Sequence, residues 1–282
     1  FNGLFTQGMV CHETYKDKNN KWLSPEEVFS EDGKKFFKKD NTLDQIIVGP
    51  TESMSKSKKN TIDPESIIKN YGADSVRLFI LSDSPPEKDV QWSDQGMLAS
   101  FKFIQKLWIL NSKILEKVKN TDETNEARNL TKFTNQLIYK VTQNLEKFHY
   151  NVIVANFYEM YNFLIKEIEK PIKKEILIEN YKKILVLMSP FIPHFSTECL
   201  NILKEKKINW PKVSKEELIE EEINFVVQIN GKKRAILKVN KDLDENLILN
   251  KIKSNNATEK FLQNQKIKKT IFVSNRLINI IL

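Results

Sequence analysis

Cysteine and histidine are scarce in this chain of 282 residues, which holds two cysteines and three histidines. Cys11 and Cys199 stand far apart in the sequence, so they offer neither a metal-ligand spacing nor a disulfide framework. We therefore expect no metal site and a reducing, cytoplasmic location. Apolar runs approaching the roughly 20 residues that span a bilayer are also lacking. The start of the chain has neither the basic flank nor the cleavage pattern of a signal peptide, and these absences predict a soluble protein with no membrane partner.

The chain does have an excess of positive charge, with 45 Lys and Arg against 37 Asp and Glu and a formal net charge of +8. Such an excess favours a polyanionic partner, although a solvated basic surface gives the same balance. The length exceeds that of a usual single domain, so we expect two or three domains. Because the chain opens on Phe1 rather than Met, directly into strand-like sequence, we also expect further sequence upstream.

The residue pattern changes twice along the chain, which predicts three parts and an α+β fold. Residues 1–92 have the pattern of short strands and loops followed by two short helices. Residues 93–212 carry apolar residues at intervals of three and four, which predicts a helical bundle. Residues 213–282 predict the rest of a linker, which starts near Ile208, and a small α+β module. In this module Asn230-Gly231 is typical of a hairpin turn, because both residues accept positive φ.

Local signals place several of the element ends. Asp63 and Asp74 are the predicted N-caps of the two short helices, with Gly72 as the stop between them. Ser93 is the predicted cap of the first long helix. Three more helical patterns follow in the bundle, at Leu130–Lys147, Val152–Ile168 and Ile178–Leu187, and the last has a continuation at Pro193–Leu203. The remaining predicted elements are strands at Leu4–Cys11, Ile46–Val48, Lys269–Val273 and Leu277–Leu282, a helix at Asp244–Lys253, and polar turns at Lys16–Asn20 and Gly33–Asp40.

One segment has the composition of a site, namely Ser53-Met54-Ser55-Lys56-Ser57-Lys58-Lys59-Asn60, between a strand and the Asp63 helix. A basic, hydroxyl-rich loop before a helix start suits a polyphosphate, since ammonium groups and nearby N–H dipoles favour negative charge. Composition alone leaves a solvated Lys/Ser loop as an open alternative, because such runs are common.

The same string resembles the Lys-Met-Ser-Lys-Ser signature of class I aminoacyl-tRNA synthetases. Several neighbouring strings follow the order seen in leucyl-tRNA synthetases, namely Thr6-Gln7-Gly8-Met9-Val10, Tyr71-Gly72-Ala73-Asp74-Ser75-Val76-Arg77-Leu78, Ser84-Pro85-Pro86-Glu87, Val90-Gln91-Trp92-Ser93 and Val226-Val227-Gln228-Ile229-Asn230-Gly231-Lys232. The resemblance covers essentially the whole chain and is to the carboxy-terminal part of that family.

The resemblance implies an enzyme that activates leucine with ATP and Mg²⁺ and then transfers it to tRNA(Leu), as a cytoplasmic monomer. Lys56 matches the second signature lysine and is the implied catalytic residue. The implied ATP-binding residues are Ser53, Met54, Ser55, Lys56 and Ser57. The family's first signature lysine is replaced here by serine, which removes one ammonium group from the loop. We hypothesise that Lys58 or Lys59 supplies the missing charge.

Part of the class I site is not found in this sequence. The family needs a His-x-Gly-His element, and none of His12, His149 and His194 stands in such a string. The family's inserted editing domain is missing too. We therefore expect this chain by itself to be inactive. We interpret His194 as a helix-entry or packing residue and His12 as a buried, hydrogen-bonded residue.

The final module carries a group of cations. The predicted tRNA-binding residues among them are Lys232, Lys233, Arg234, Lys268 and Lys269. The resemblance implies that this module contacts the outer corner of tRNA and that the helical bundle is the class I anticodon-binding domain. A solvated β-face is the alternative for these cations. For the whole chain, the alternative is a stand-alone tRNA-binding module derived from a synthetase.

Overall fold

The computed structural model describes residues 3–30, 35–120, 127–205, 209–214, 218, 222–262, 265 and 267–282. The chain divides into two compact units, residues 1–213 and residues 214–282. Each unit holds both helices and sheet, which confirms the predicted α+β class. The division into three parts at residues 92 and 212 stays a prediction. Of the predicted linker, residues 208, 215–217 and 219–221 lie outside the described residues.

The first unit opens with a sheet built around β1 (Val10–Lys16). This strand pairs antiparallel with β2 (Trp22–Leu23) and β6 (Ile47–Ser53), and parallel with β7 (Val90–Gln91). The prediction of a strand at Leu4–Cys11 was wrong in its bounds, because pairing partners begin only at Val10, which faces Val90. The chain also stays extended as far as Lys16 before it turns at Asp17, whose carboxylate accepts from the backbone N–H groups of residues 19 and 21.

A second, three-stranded sheet lies between β2 and β6 in the sequence. It consists of β3 (Val28–Phe29), β4 (Phe37–Lys38) and β5 (Asn41–Gln45), all antiparallel. The prediction of a polar turn at Gly33–Asp40 was therefore wrong over β4, while residues 33 and 34 lie outside the described residues. This small sheet places the turn Pro25–Glu27 beside the loop that follows β6.

Two short helices follow that loop, α1 (Pro64–Tyr71) and α2 (Ala73–Asp83). The predicted start and stop of α1 are confirmed: the Asp63 carboxylate accepts from the N–H groups of residues 65 and 66, and Gly72 ends the helix at φ 80°. The prediction that Asp74 caps α2 was wrong. Gly72 occupies the cap position of α2, and Asp74 lies inside the helix.

The helical bundle consists of α3 (Asp94–Asn120), α4 (Arg128–Glu146), α5 (Tyr150–Glu167), α6 (Lys174–Met188) and α7 (Pro193–Ile202). The predicted helical patterns are confirmed, because their apolar positions share one core. However, α6 begins at Lys174 rather than at the predicted Ile178, and the predicted continuation is the separate helix α7. Ser93 accepts from the N–H of Gly96 at 3.2 Å, as its predicted cap role requires. Leu78 of α2 is fully buried in the same core, so α2 packs as part of the bundle. None of the helices in the described part of the chain is both long and apolar enough to cross a membrane.

Asp74 caps a helix more than 100 residues away. Its carboxylate, 7% exposed, accepts from the N–H of His194 at 3.2 Å and of Phe195 at 2.7 Å, in the first turn of α7. One turn further along α2, Arg77 donates to the carbonyl groups of Pro190 and Phe191, at 2.7 and 3.2 Å. Together the two side chains fix the entry of α7 against α2.

Replacing Asp74 with alanine is expected to lower the free energy of unfolding of the first unit by about 2 kcal/mol, because two N–H groups lose a charged acceptor. Urea unfolding should show a lower midpoint at an unchanged slope. Asp83→Ala is the matched control: this exposed carboxylate lies on the same helix, and its loss is expected to cost less than about 0.5 kcal/mol. Equal midpoints for the two variants would contradict the capping role.

The second unit is a four-stranded sheet covered on one face by two helices. Its strands are β8 (Glu222–Ile229), β9 (Lys232–Asn240), β10 (Lys269–Val273) and β11 (Leu277–Ile281), and its helices are α8 (Glu245–Lys253) and α9 (Asn256–Leu262). The sheet order is β10-β11-β8-β9, with β8 and β11 parallel. The predicted hairpin is confirmed by positive φ at Asn230 (49°) and Gly231 (76°). The helix α9 had no sequence prediction.

Candidate functional site

The segment singled out in the sequence forms a loop between β6 and α1, here called the signature loop (residues 53–59). Ser53 is the last residue of β6 and pairs with Cys11 of β1. Met54 still donates its N–H to the carbonyl of Val10 at 3.1 Å. The chain then turns sharply over residues 56–59, where the N–H of Lys59 donates to the carbonyl of Lys56 at 3.3 Å. The sequence-predicted ATP-binding residues 53–57 thus lie at the start of one tight loop.

Met54 is one of the residues that line an apolar pocket of about 170 Å³ beside the loop. The other residues that line this pocket come from β1, α1, α2 and the segments beside them, namely Val10, Ile62, Pro64, Ile67, Val76, Ile80 and Trp92. The first half of the loop therefore lies beside an apolar surface formed by the sheet and the two short helices.

Hydroxyl groups occupy the outer side of the loop. The Oγ atoms of Ser55 and Ser57 lie 2.7 Å apart and share a hydrogen bond, with Ser57 exposed and Ser55 half-buried. The N–H of Ser55 donates to Oδ1 of Asn60 at 2.8 Å. The loop thus presents two hydroxyl groups next to the exposed Lys56 side chain.

The three lysines of the loop differ in their partners. Lys58 forms an ion pair with Glu52, and Lys59 lies 3.5 Å from the Glu27 carboxylate. The pKa of Glu27 is lowered mainly by the N–H of Ser24, with smaller contributions from the Ser24 hydroxyl and Lys59. Among the described residues, Lys56 has no ion-pair partner. The hypothesis that Lys58 or Lys59 replaces the missing signature lysine is therefore not favoured by their positions, because both are held by carboxylates.

The three histidines differ in their exposure, since His12 is buried whereas the side chains of His149 and His194 are exposed. His12 is 8% exposed on β1, with Nδ1 2.9 Å from the carbonyl of Glu13, which confirms the interpretation of a buried, hydrogen-bonded residue. His149 precedes α5. His194 lies in the first turn of α7 with an exposed side chain, which fits the helix-entry interpretation rather than the packing one.

Residue types that bind metals do not come together in the described part of the chain. No group of three or more His, Cys, Asp or Glu residues there is arranged to hold a metal ion. Cys11 and Cys199 are both free and buried. Burial raises the pKa of both thiols, that of Cys199 to about 12, so neither is a ready nucleophile.

In the second unit the predicted tRNA-binding cations do not form one cluster. Residues 232–234 lie on β9 and Lys269 on β10, which are the opposite edges of the sheet. Three strand spacings separate those edges, roughly 14 Å. Arg234 stacks over the ring of Phe261 at 4.4 Å, and Lys268 donates to the carbonyl of Leu282 at 3.2 Å.

The strand register nevertheless places some cations on one open face of the sheet. Lys233 faces Gln228, which faces Asn279, which faces Ile271, so these residues point to the side away from buried Val227 and Ile278. Alternation along the strands adds Lys269 and Lys238 to the same side. The same side of the sheet also has an apolar part that was not predicted from the sequence. It is formed by Ile236, Ile271 and Val273, which are 50%, 44% and 40% exposed. We call this surface the open face.

The signature-loop region and the helical bundle both match models of tRNA synthetases. Residues 31–93, which include the signature loop, match the model of the class I tRNA synthetases for Ile, Leu, Met and Val. Residues 127–249 match the model of the anticodon-binding domain of tRNA ligases. Along its whole length the chain is 37% identical to the leucine–tRNA ligase of Bartonella henselae, 40% to that of Orientia tsutsugamushi and 39% to that of Wolbachia pipientis.

Over its whole length the chain is similar to the leucyl-tRNA synthetases. It spans about a third of the length of these curated relatives, 34% in each case. A solved leucyl-tRNA synthetase of Agrobacterium radiobacter, in a ternary complex described as LeuRS-tRNA-LeuAMS, matches 82% of the chain with a TM-score of 0.66 and 26% identity. The chain covers 31% of that protein. The resemblance expected from the sequence is thus confirmed.

Two features of the site were invisible in the sequence. Asn60, adjacent to the signature loop, is completely buried, although a lone Asn before a helix start is typical of an exposed turn. The apolar residues of the open face alternate with buried ones, but alternation does not reveal which face a helix covers. Only the positions of α8 and α9 decide that.

Proposed function

We propose that this chain is the carboxy-terminal third of a leucine–tRNA ligase. The complete protein would convert leucine and ATP, as its Mg²⁺ complex, to leucyl-adenylate and pyrophosphate, and then pass the leucyl group to the terminal ribose of tRNA(Leu). The observation that carries this proposal is the signature loop, which presents Lys56 as an exposed ammonium while Lys58 and Lys59 are engaged by carboxylates.

Lys56 would be the catalytic residue of the loop. During adenylation, negative charge accumulates on the leaving pyrophosphate, and a nearby ammonium stabilises that charge more than it stabilises bound ATP. The backbone of Ser53 and Met54 would hold the start of the loop on β1, and the hydroxyls of Ser55 and Ser57 would donate to phosphate oxygens. Because Ser53 replaces a lysine, Lys56 would carry a larger share of the charge neutralisation here than in relatives with both lysines.

The bundle and the second unit would bind the tRNA. Support comes from the anticodon-binding-domain match over residues 127–249 and from the relative solved with tRNA. In the second unit we propose that Lys233 and Lys269 contact phosphates from the open face, together with the edge residues Lys232, Arg234 and Lys268. Exposed apolar side chains between the cations would suit the sugars and bases of a folded RNA.

The alternative of a stand-alone tRNA-binding module is not favoured. Residues 31–93 match the class I catalytic model, and an ATP-phosphate loop has no use in a protein that only binds tRNA. We further propose a cytoplasmic location, which the free, buried state of both cysteines supports. The proposal that the complete protein is a monomer rests on the family resemblance alone.

The chain by itself is expected to show no leucine-dependent exchange of pyrophosphate into ATP, because it has the signature loop but no His-x-Gly-His element. The measurement is isotope exchange with purified chain, beside a complete relative as the positive control. Exchange by the chain at a rate near that of the control would refute the assignment of the missing functions to other sequence.

A further inference from the structure

Asn60 is completely buried immediately after the signature loop, at 0% exposure, among residues that are mostly exposed. Its side-chain Nδ2 lies 3.2 Å from the carbonyl oxygen of Glu52, 3.4 Å from that of Ser53 and 3.3 Å from that of His12. Its Oδ1 accepts the N–H of Ser55 at 2.8 Å. One carboxamide therefore contacts β1, the end of β6 and the start of the loop.

These contacts fix the orientation of the amide. The two N–H groups of Nδ2 are directed at the backbone carbonyl oxygens and Oδ1 accepts one N–H, and only a primary amide supplies both kinds of group in this volume. An aspartate in the same place would turn a carboxylate towards three carbonyl oxygens, and an apolar residue would leave the buried N–H of Ser55 without an acceptor.

These contacts of Asn60 limit how far the nearby Lys56 can move. The chain is fixed at Ser55, before the tight turn of residues 56–59, and again at Asn60, after that turn. Lys56 is the first residue beyond the fixed N–H. With the amide removed, the free segment would grow at both ends, and the ammonium of Lys56 would be spread over a larger volume.

We propose that Asn60 is a positioning residue for adenylation, which holds the signature loop in the register that brings Lys56 to the phosphates of ATP. This inference rests on the proposed function of Lys56. Asn60 itself touches no substrate, because its side chain is buried and its partners are backbone groups. A displacement of about 1 Å in a catalytic group can cost up to about 100-fold in rate, so Asn60→Ala is expected to slow adenylation roughly tenfold to 100-fold.

The first test concerns the loop alone and needs no activity. In this chain, amide hydrogen exchange is measured by NMR for wild type, Asn60→Ala, Asn60→Asp and the control Asn70→Ala, an exposed asparagine on α1. The amide of Ser55 should exchange at least about tenfold faster in both Asn60 variants and unchanged in the control, while α5 stays protected. If Asn60→Ala also loses protection in α5, the substitution has destabilised the whole unit. The exchange rate at Ser55 is then taken from Asn60→Asp, which is the smaller change. Unchanged exchange at Ser55 in a folded variant overturns the proposal.

The second test asks whether Asn60 acts through Lys56. In a complete enzyme that contains this chain, adenylation rates are compared for Asn60→Ala, Lys56→Ala and the double variant. If Asn60 positions Lys56, the double variant is no slower than Lys56→Ala, whereas a general loss of stability makes the two effects multiply. Multiplied effects, or a normal rate in Asn60→Ala, overturn the proposal. A normal rate in Lys56→Ala instead overturns the function proposed for the loop, and the exchange result at Ser55 still tests the anchor.

Discussion

Lys56→Ala in a complete enzyme is expected to reduce the rate of leucyl-adenylate formation by roughly 30- to 1000-fold, with little change in leucine affinity. Losing one charge-assisted contact to the leaving pyrophosphate costs about 2 to 4 kcal/mol in the transition state. The structure supports the upper part of that range, since the family's first signature lysine is Ser53 here and Lys58 and Lys59 are engaged with Glu52 and Glu27.

The measurement is single-turnover adenylation together with the dissociation constant for leucine. Lys59→Ala is the matched control. It removes the same charge from the same loop, three residues after Lys56, but from a side chain that pairs with Glu27. We expect this control to lose less than about tenfold. An equal loss in both variants would mean that the loop acts through its total charge, and a normal rate with weaker leucine binding would contradict the role of Lys56 altogether.

Deleting residues 222–282 from a complete enzyme is expected to weaken tRNA binding and to flatten its dependence on salt, while ATP–pyrophosphate exchange continues. These residues form a unit with its own buried core, so their loss leaves the core of the bundle intact. Each cation that meets a phosphate releases counterions, and losing such contacts reduces the slope of log affinity against log salt.

A finer form of this experiment uses the open face. The triple variant Lys233→Ala, Lys238→Ala, Lys269→Ala should reduce the salt slope by roughly 2, given about 0.7 to 0.9 for each phosphate contact. The control is Lys251→Ala with Lys253→Ala, which removes exposed cations from α8 on the covered side of the sheet. Equal affinity and slope in the triple variant and the wild type would show that the open face is only solvated surface.

Local signals in the sequence were enough to predict most helices and the hairpin. Asp63 and Gly72 bound α1 as expected, because a cap and a positive-φ stop depend only on residues within one turn. Asn230-Gly231 set the hairpin for the same reason. The strand at the start of the chain was misplaced, since the extent of β1 depends on β6 and β7, whose paired residues lie 31 to 80 positions away in the sequence.

The sequence by itself determined the family resemblance, the signature loop with Lys56 and the helical bundle, since these depend on residue identity and spacing along the chain. The tertiary structure decided the partners of single polar groups. Asp74 caps α7 rather than its own helix, Asn60 is buried beneath the loop, and the cations of the second unit divide between two sheet edges. The order of the strands separates the cations, because it places β9 and β10 at opposite edges. For Asp74 and Asn60 the physical reason is the choice of partner. A hydrogen bond or an ion pair forms with whatever group folding brings within about 3 Å, and for these residues that group comes from a different element of the fold.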